Sequence, residues 1–307
     1  MYRYEYWGLG TFTAKINMAL EEFFLKKASL DNKASIRFFD FQKDSVVLGY
    51  AQATDVIKKV DNSFEITRRP TGGSHVHVGN NILAYCFVVP RDGSFRNYED
   101  MRAYFAEKVA NALRELGVEN VEVDNKASTI KIDEKVVASH AIIWGVKSAL
   151  LHGLIIIDPY DVDKVSERVL LKSRKIGGKI YTEYSALKNI PAISKLLTNI
   201  APNAKKEEKN RVLKKIISDL ILREVAKKDF VKKIIDEKII ERAKEIYNLK
   251  YGKQNWTISR IPPFTEDEVE KIPGEELKGP LKENLGYCLY IQTKDKDFKK
   301  MAEPLEE

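Results

Sequence analysis

The segment Ile82 to Val89, ILAYCFVV, is an unbroken apolar run bounded by Asn80-Asn81 and Pro90. It is far shorter than the about 20 residues a bilayer crossing needs, and its aromatic and β-branched content reads as a buried strand. Such a strand needs a core around it. Ser35 to Phe41, Ser45 to Tyr50 and Leu150 to Ile157 read as further strands, the last stopped by Asp158-Pro159. Ser128 to Asp133 and Val136 to His140 flank an Asp-Glu step suited to a tight turn. Ile16, Ala19, Leu20, Phe23 and Phe24 recur at helical spacing, as do Met101, Phe105, Val109, Ala112, Leu113 and Leu116, and the second series ends at Gly117. The first 200 or so residues therefore read as one α/β unit.

From Lys205 the composition shifts to charge-interleaved helices, one carrying Val212, Ile216, Leu220 and Ile221, the other spanning about Asp229 to Tyr251. SRIPPF and GEELKGPLKENLG then interrupt the pattern, leaving a tail whose one expected strand is Gly286 to Gln292. The 52 Lys+Arg against 45 Asp+Glu give +7, a charge that attracts polyanions or an acidic partner. Nucleic-acid binding is not expected, because the lysine runs lack interleaved aromatics and no recognition module is present. No membrane span is expected, and with two cysteines and no secretory-type start the chain reads as cytoplasmic.

The segment Arg68 to Asn81, RRPTGGSHVHVGNN, carries the most chemistry. Two glycines let backbone approach a ligand, and two arginines supply charge for a phosphate or carboxylate, which describes an anion cradle; a tight hairpin with surface arginines has the same letters. Neither GxxxxGK[ST] nor a helix-opening GxGxxG is present.

Four blocks in order, Asn17 to Glu22 (NMALEE), Val47 to Gln52 (VLGYAQ), Arg68 to Gly73 (RRPTGG) and Lys135 to Ser139 (KVVAS) followed by His152-Gly153, resemble the lipoate-protein ligase family of the biotin/lipoate ligase superfamily. YNLKYGKQNW, Tyr247 to Trp256, is similar to the segment that ends the large domain of these ligases. The resemblance implies a mixed, mostly antiparallel sheet flanked by helices, an α/β (α+β) catalytic domain over residues 1–256, and a C-terminal extension over 257–307 shorter than the usual accessory domain. It implies ATP-dependent activation of lipoate or octanoate as an acyl-adenylate, with Mg²⁺, and transfer to a lysine of a lipoyl domain in 2-oxoacid dehydrogenases or glycine-cleavage H-type proteins. A separate accessory-domain protein is a further implied partner.

Carried over, Lys135 is the catalytic cation at the carboxylate and α-phosphate, with Lys131 as its decoy. Arg68, Arg69, Thr71, Gly72, Gly73, Ser74, His75, His77, Ser139, His140 and His152 are the substrate- and ATP-binding positions. Fixed cations and backbone donors suit a reaction that builds negative charge on a phosphoryl group. This chain departs from the family at Ser74, where a third glycine is usual, at His75 and His77, which replace a later histidine, and at His140, an imidazole where a small residue is usual. No HExxH or Cys/His ligand pair marks a metal site, and the metal ligands stay unassigned. The transferase relatives form a thioester on a cysteine, and neither Cys86 nor Cys288 stands at their positions, which favours adenylation. The alternatives are an octanoyl or lipoyl transferase using a pre-attached acyl group and a non-catalytic ligand-binding relative.

Overall fold

The structure is a computed structural model that describes residues 2–59, 62–171, 173–176, 179–182, 187–259 and 265–271. The strands are β1 (Tyr4–Phe12), β2 (Ala34–Phe41), β3 (Ser45–Leu48), β4 (Glu65–Arg68), β5 (Val76–Val78), β6 (Ile82–Pro90), β7 (Val121–Asp124), β8 (Thr129–Ile132), β9 (Lys135–Trp144), β10 (Ser148–Ile156), β11 (Ser173–Ile176), β12 (Lys179–Thr182) and β13 (Phe230–Lys232). Helix α1 (Ala14–Asp31) and helix α2 (Tyr98–Glu115) follow β1 and β6.

One sheet runs β13-β1-β2-β6-β10-β9-β8-β7. Its pairs are parallel at β13-β1 and β1-β2 and antiparallel from β2 onward, the mixed, mostly antiparallel α/β arrangement implied by the sequence. β6, the apolar run, is buried along its whole length at the centre of this sheet. Strands covered on both faces read as continuous apolar segments, which is why it was legible. On one face lie α2 and the Lys206–Ala226 helix, packed through Met101, Phe105, Leu213 and Ile217. On the other lie α1 and the Glu237–Ile246 helix, packed through Met18, Leu20, Ala243 and Ile246. A small sheet, β4-β3-β5, adjoins the α1 side.

The helix expected from Asp229 to Tyr251 begins instead as β13, and the helix proper starts at Asp236, whose side chain accepts from the Ile239 N–H. Tertiary pairing with Tyr4–Tyr6 of β1 overrides local helical preference in this β-branched, edge-compatible stretch. The Asp133-Glu134 turn is as expected, with both residues at positive φ, the condition for a two-residue hairpin between β8 and β9. The expected Gly286 to Gln292 strand and Cys288 lie outside the described residues. Among the described residues, no helix is long and apolar enough to cross a membrane.

Candidate active site

A pocket opens between α1, the small sheet and the large sheet. Met18, Phe39, Phe41, Val47, Val76, Val78, Ala84 and Leu154 make it apolar, and Arg69, Ser139 and His152 bring polar groups to it. An apolar pocket with a few convergent polar groups fits a ligand with a hydrocarbon body and one polar end.

Behind the wall runs a buried chain of hydrogen bonds. Arg69 Nε donates to Thr71 Oγ1 at 3.0 Å, Thr71 Oγ1 lies 2.7 Å from His152 Nε2, and His152 Nδ1 lies 2.9 Å from Glu21 Oε2. If Nδ1–H donates to the carboxylate, Nε2 accepts the Thr71 hydroxyl proton, and every donor in the series has one direction. Arg69 then gives three of its four remaining N–H groups to carbonyls: Val47 at 3.2 Å, Gly72 at 2.6 Å and Ser74 at 2.8 Å. Helix α1 thus shapes the double-glycine loop through Glu21, His152, Thr71 and Arg69. Burial lowers the Arg69 pKa to about 10, opposed by the Glu21 charge, and at that value the guanidinium keeps its charge at neutral pH. Gly72, Gly73 and Ser74 stand exposed at the rim, with Gly73 at φ +93°. Gly49 passes beneath them so closely that a Cβ there would lie 1.7 Å from the Gly73 carbonyl oxygen. Only glycine allows that approach.

Other expected site residues lie elsewhere. Arg68 is fully buried, and its donors go to the carbonyls of Gly49 (2.7 Å), Tyr50 (3.0 Å), Gln52 (2.6 Å) and Thr257 (3.0 Å), so it latches the 49–52 turn to the segment after Trp256. It does not line the cavity. His75 and His77 share a face of β5 and its approach, with ring centroids 5.8 Å apart, while Val76 and Val78 face the cavity. His77 pairs with Val46, on the small-sheet core side, and burial first, then His75 and Arg168, push its pKa down to about 3.

His140 contributes to the cavity lining, yet its ring goes to the other face. It pairs with Gly153, which pairs with Tyr85, and directly opposed residues share a face. The Tyr85 hydroxyl reaches His140 Nε2 at 2.5 Å across Gly153, where a Cβ would lie 2.4 Å from that hydroxyl. Burial, only partly offset by the Ser128 carbonyl, lowers the His140 pKa to about 4. The imidazole that replaces a small residue is thus absorbed on the α2 side of the sheet and does not project into the cavity.

Lys135 is exposed at the first position of β9 and is not a lining residue. A register shift between Ile130 and Lys131 gives β9 one extra residue, and Lys135 comes opposite Ile132, which packs in the α2-side core. Lys131, on the opposite face, is paired with Asp124 at 2.8 Å. Glu21 is one letter of the NMALEE block and its role is not legible in the sequence, because an acid inside a helix ordinarily reads as solvent-facing. Phe39 and Phe41 are cavity walls that the sequence signals only through their alternation within β2. Among the described residues, no three His, Cys, Asp or Glu side chains converge as a metal site.

The model of the lipoyl protein ligase A/B catalytic domain matches residues 13–214. The chain belongs to that family. A comparison with curated protein sequences finds no match. Among solved structures, a lipoate-protein ligase A bound with ATP is 21% identical, with a TM-score of 0.64, covering 84% of this chain and 98% of that one. A bi-partite lipoate protein ligase from Thermoplasma acidophilum, described with its E2 lipoyl domain, is 20% identical at a TM-score of 0.65, covering 82% and 96%. The P. falciparum protein LipL1 in complex with lipoate is 16% identical at 0.58, covering 82% and 73%. These lipoyl-ligase-family neighbours share the fold of this chain, and the matched residues 13–214 contain the cavity, the double-glycine loop and Glu21.

Proposed function

We propose that the chain is an ATP-dependent lipoate-protein ligase, activating lipoate or octanoate as acyl-AMP and transferring the acyl group to a lysine of a lipoyl domain. The observation that carries this reading is the apolar cavity bordered by the buried Arg69 charge, whose guanidinium also holds the double-glycine loop. The hydrocarbon chain lies along Met18, Phe39, Val76 and Leu154, and the carboxylate sits toward Arg69 and Ser139. A carboxylate oxygen attacks the α-phosphorus, the bond to pyrophosphate breaks, and the acceptor ε-amine then attacks the acyl carbon, losing a proton as AMP leaves with the bridging oxygen.

This chain's part is positioning and charge stabilisation. Arg69 acts through its charge and by holding Gly72 and Ser74 in place with both Nη2 hydrogens. We assign the cation at the α-phosphate to Lys135, which starts on the α2 face and must swing around the exposed β8-β9 hairpin to reach it, and Mg²⁺ arrives with ATP as part of the substrate. Cys86 supports adenylation over a thioester route: it is 1% exposed, and burial together with the Glu21 charge raises its thiol pKa well above the ordinary value. The test is mass spectrometry of a lipoyl domain incubated with the chain and lipoate or octanoate, with and without ATP. Acylation that needs ATP supports the reading, and acylation from a pre-acylated carrier without ATP replaces it with the transferase.

A further inference from the structure

Away from the cavity, at the far edge of the large sheet, β13 covers only part of its neighbour. It pairs with Tyr4–Tyr6 of β1, whereas β1 continues to Phe12, so from Gly8 onward its outer edge has no strand partner among the described residues. A register shift falls between Tyr6 and Leu9 at this point, with Gly8 at φ +71° and open space where its side chain would be. Beside this edge lies a groove between β1, β13 and the Lys206–Ala226 helix, floored by Leu9, Val212 and Ile216. Ile234, at its rim, is 81% exposed.

The groove's charge is of one sign. Arg211, Lys215, Lys232 and Lys233 line it, and among the described residues no acidic one does. Lys215 is paired with Asp219 and Lys233 lies 3.8 Å from Glu5, while Arg211 and Lys232 make no ion pair among the described residues. An unpaired strand edge offers backbone donors and acceptors, an apolar floor takes alternate side chains, and a ring of cations selects the charge of what enters.

We propose that this edge is a docking site for an extended acidic segment of a partner protein, which adds a strand beside β1 beyond β13, seats apolar side chains on Leu9, Val212 and Ile216, and places carboxylates against Arg211 and Lys232. Charge complementarity decides the occupant: a second copy of this basic edge would set like charges against each other. The site is independent of the acyl-transfer reading, since none of its residues lines the active-site cavity.

The test uses the full chain and a fluorescent peptide of alternating valine and glutamate, read by anisotropy. Saturable one-to-one binding is expected, weakened about tenfold or more by the Arg211→Glu/Lys232→Glu double variant and weakened by salt. The same peptide N-methylated at alternate residues keeps its charge and side chains but loses one edge of its hydrogen-bonding ladder, and it should bind at least about tenfold more weakly. No binding, equal binding of the methylated peptide, or equal binding by the double variant overturns the proposal. So does tighter binding of a single-stranded oligonucleotide, or sedimentation showing that the chain self-associates through this edge. Circular dichroism confirms that the double variant is folded, and exposed charge reversals at the groove leave acyl transfer in the mass-spectrometric assay unchanged.

Discussion

Replacing His152 with alanine cuts the buried series that ties α1 to the double-glycine loop. The imidazole holds Glu21 at 2.9 Å and Thr71 at 2.7 Å, and Glu21 is fully buried. Losing the bond to the carboxyl group costs about 1.5–3 kcal/mol and losing the one to Thr71 about 1 kcal/mol, with a further contribution from the vacated ring volume. The expected total is about 3–5 kcal/mol, in the range found when one partner of a buried pair is removed. Urea denaturation of wild type, His152→Ala, Glu21→Gln and the double variant measures it. Because the two side chains touch, the double variant should lose about 1 kcal/mol or more less than the sum of the singles. The loop should loosen in parallel, so lipoate binding, read by calorimetry on the folded fraction, weakens in both single variants. A loss in His152→Ala below about 1 kcal/mol, or strict additivity, refutes the coupling.

Lys135→Ala should abolish pyrophosphate release from lipoate and ATP while leaving the urea midpoint unchanged, whereas Lys131→Ala, which removes only a half-exposed pair with Asp124, should stay near wild type. Equal losses in both would show that the cation has been misplaced across the β8-β9 hairpin. Joint Cys86→Ser and Cys288→Ser substitution should leave acyl transfer within a small factor of wild type, and a thioester trapped on either cysteine would contradict adenylation. In acid, stability should fall in two stages. The folded-state pKa values of His140 and His77, about 4 and 3, lie below the ordinary 6.5, so the stability they contribute is present above pH 6.5 and is lost as pH falls toward those values. Burial would raise the Glu22 pKa, but Lys250 and Lys26 outweigh it and hold it at about 2 against 4.5, so on the order of 3 kcal/mol is lost as pH falls from 4.5 toward 2. Urea midpoints across pH should show both stages, and Glu22→Gln should remove the lower one while leaving the upper.

The elements legible in the sequence were those whose environment is written in local periodicity. Met101, Phe105, Val109 and Leu113 mark one helical face, and β6 is apolar throughout because both its faces are covered. β1 was not legible: Gly8 and Gly10 interrupt its pattern, and the register shift between Tyr6 and Leu9 breaks strict alternation. β13 exists only through its pairing with β1, so no local signal could have announced it. At the site, the residue blocks located the loop, and Arg69, Thr71 and His152 did come together around it. Side-chain direction was beyond the sequence. The extra residue in β9 decides which face Lys135 starts on, and the Tyr85 hydroxyl crossing Gly153 gives His140 its partner on the α2 side. Arg68 and Arg69 are neighbours with the same chemistry, yet one latches the chain after Trp256 and the other holds the rim, a difference fixed only by tertiary packing.

The central claim is that the acyl group passes through a mixed anhydride with AMP, and oxygen tracing tests it most directly. Lipoate labelled with ¹⁸O in both carboxylate oxygens is incubated with the chain, MgATP and a lipoyl domain, and the AMP released is examined by mass spectrometry. Attack of the carboxylate on the α-phosphorus makes one labelled oxygen the bridge, and aminolysis at the acyl carbon leaves that oxygen on AMP. The account predicts AMP carrying one ¹⁸O atom for each acyl group transferred. Acylated lipoyl domain accompanied by unlabelled AMP, or formed with no AMP, would contradict it.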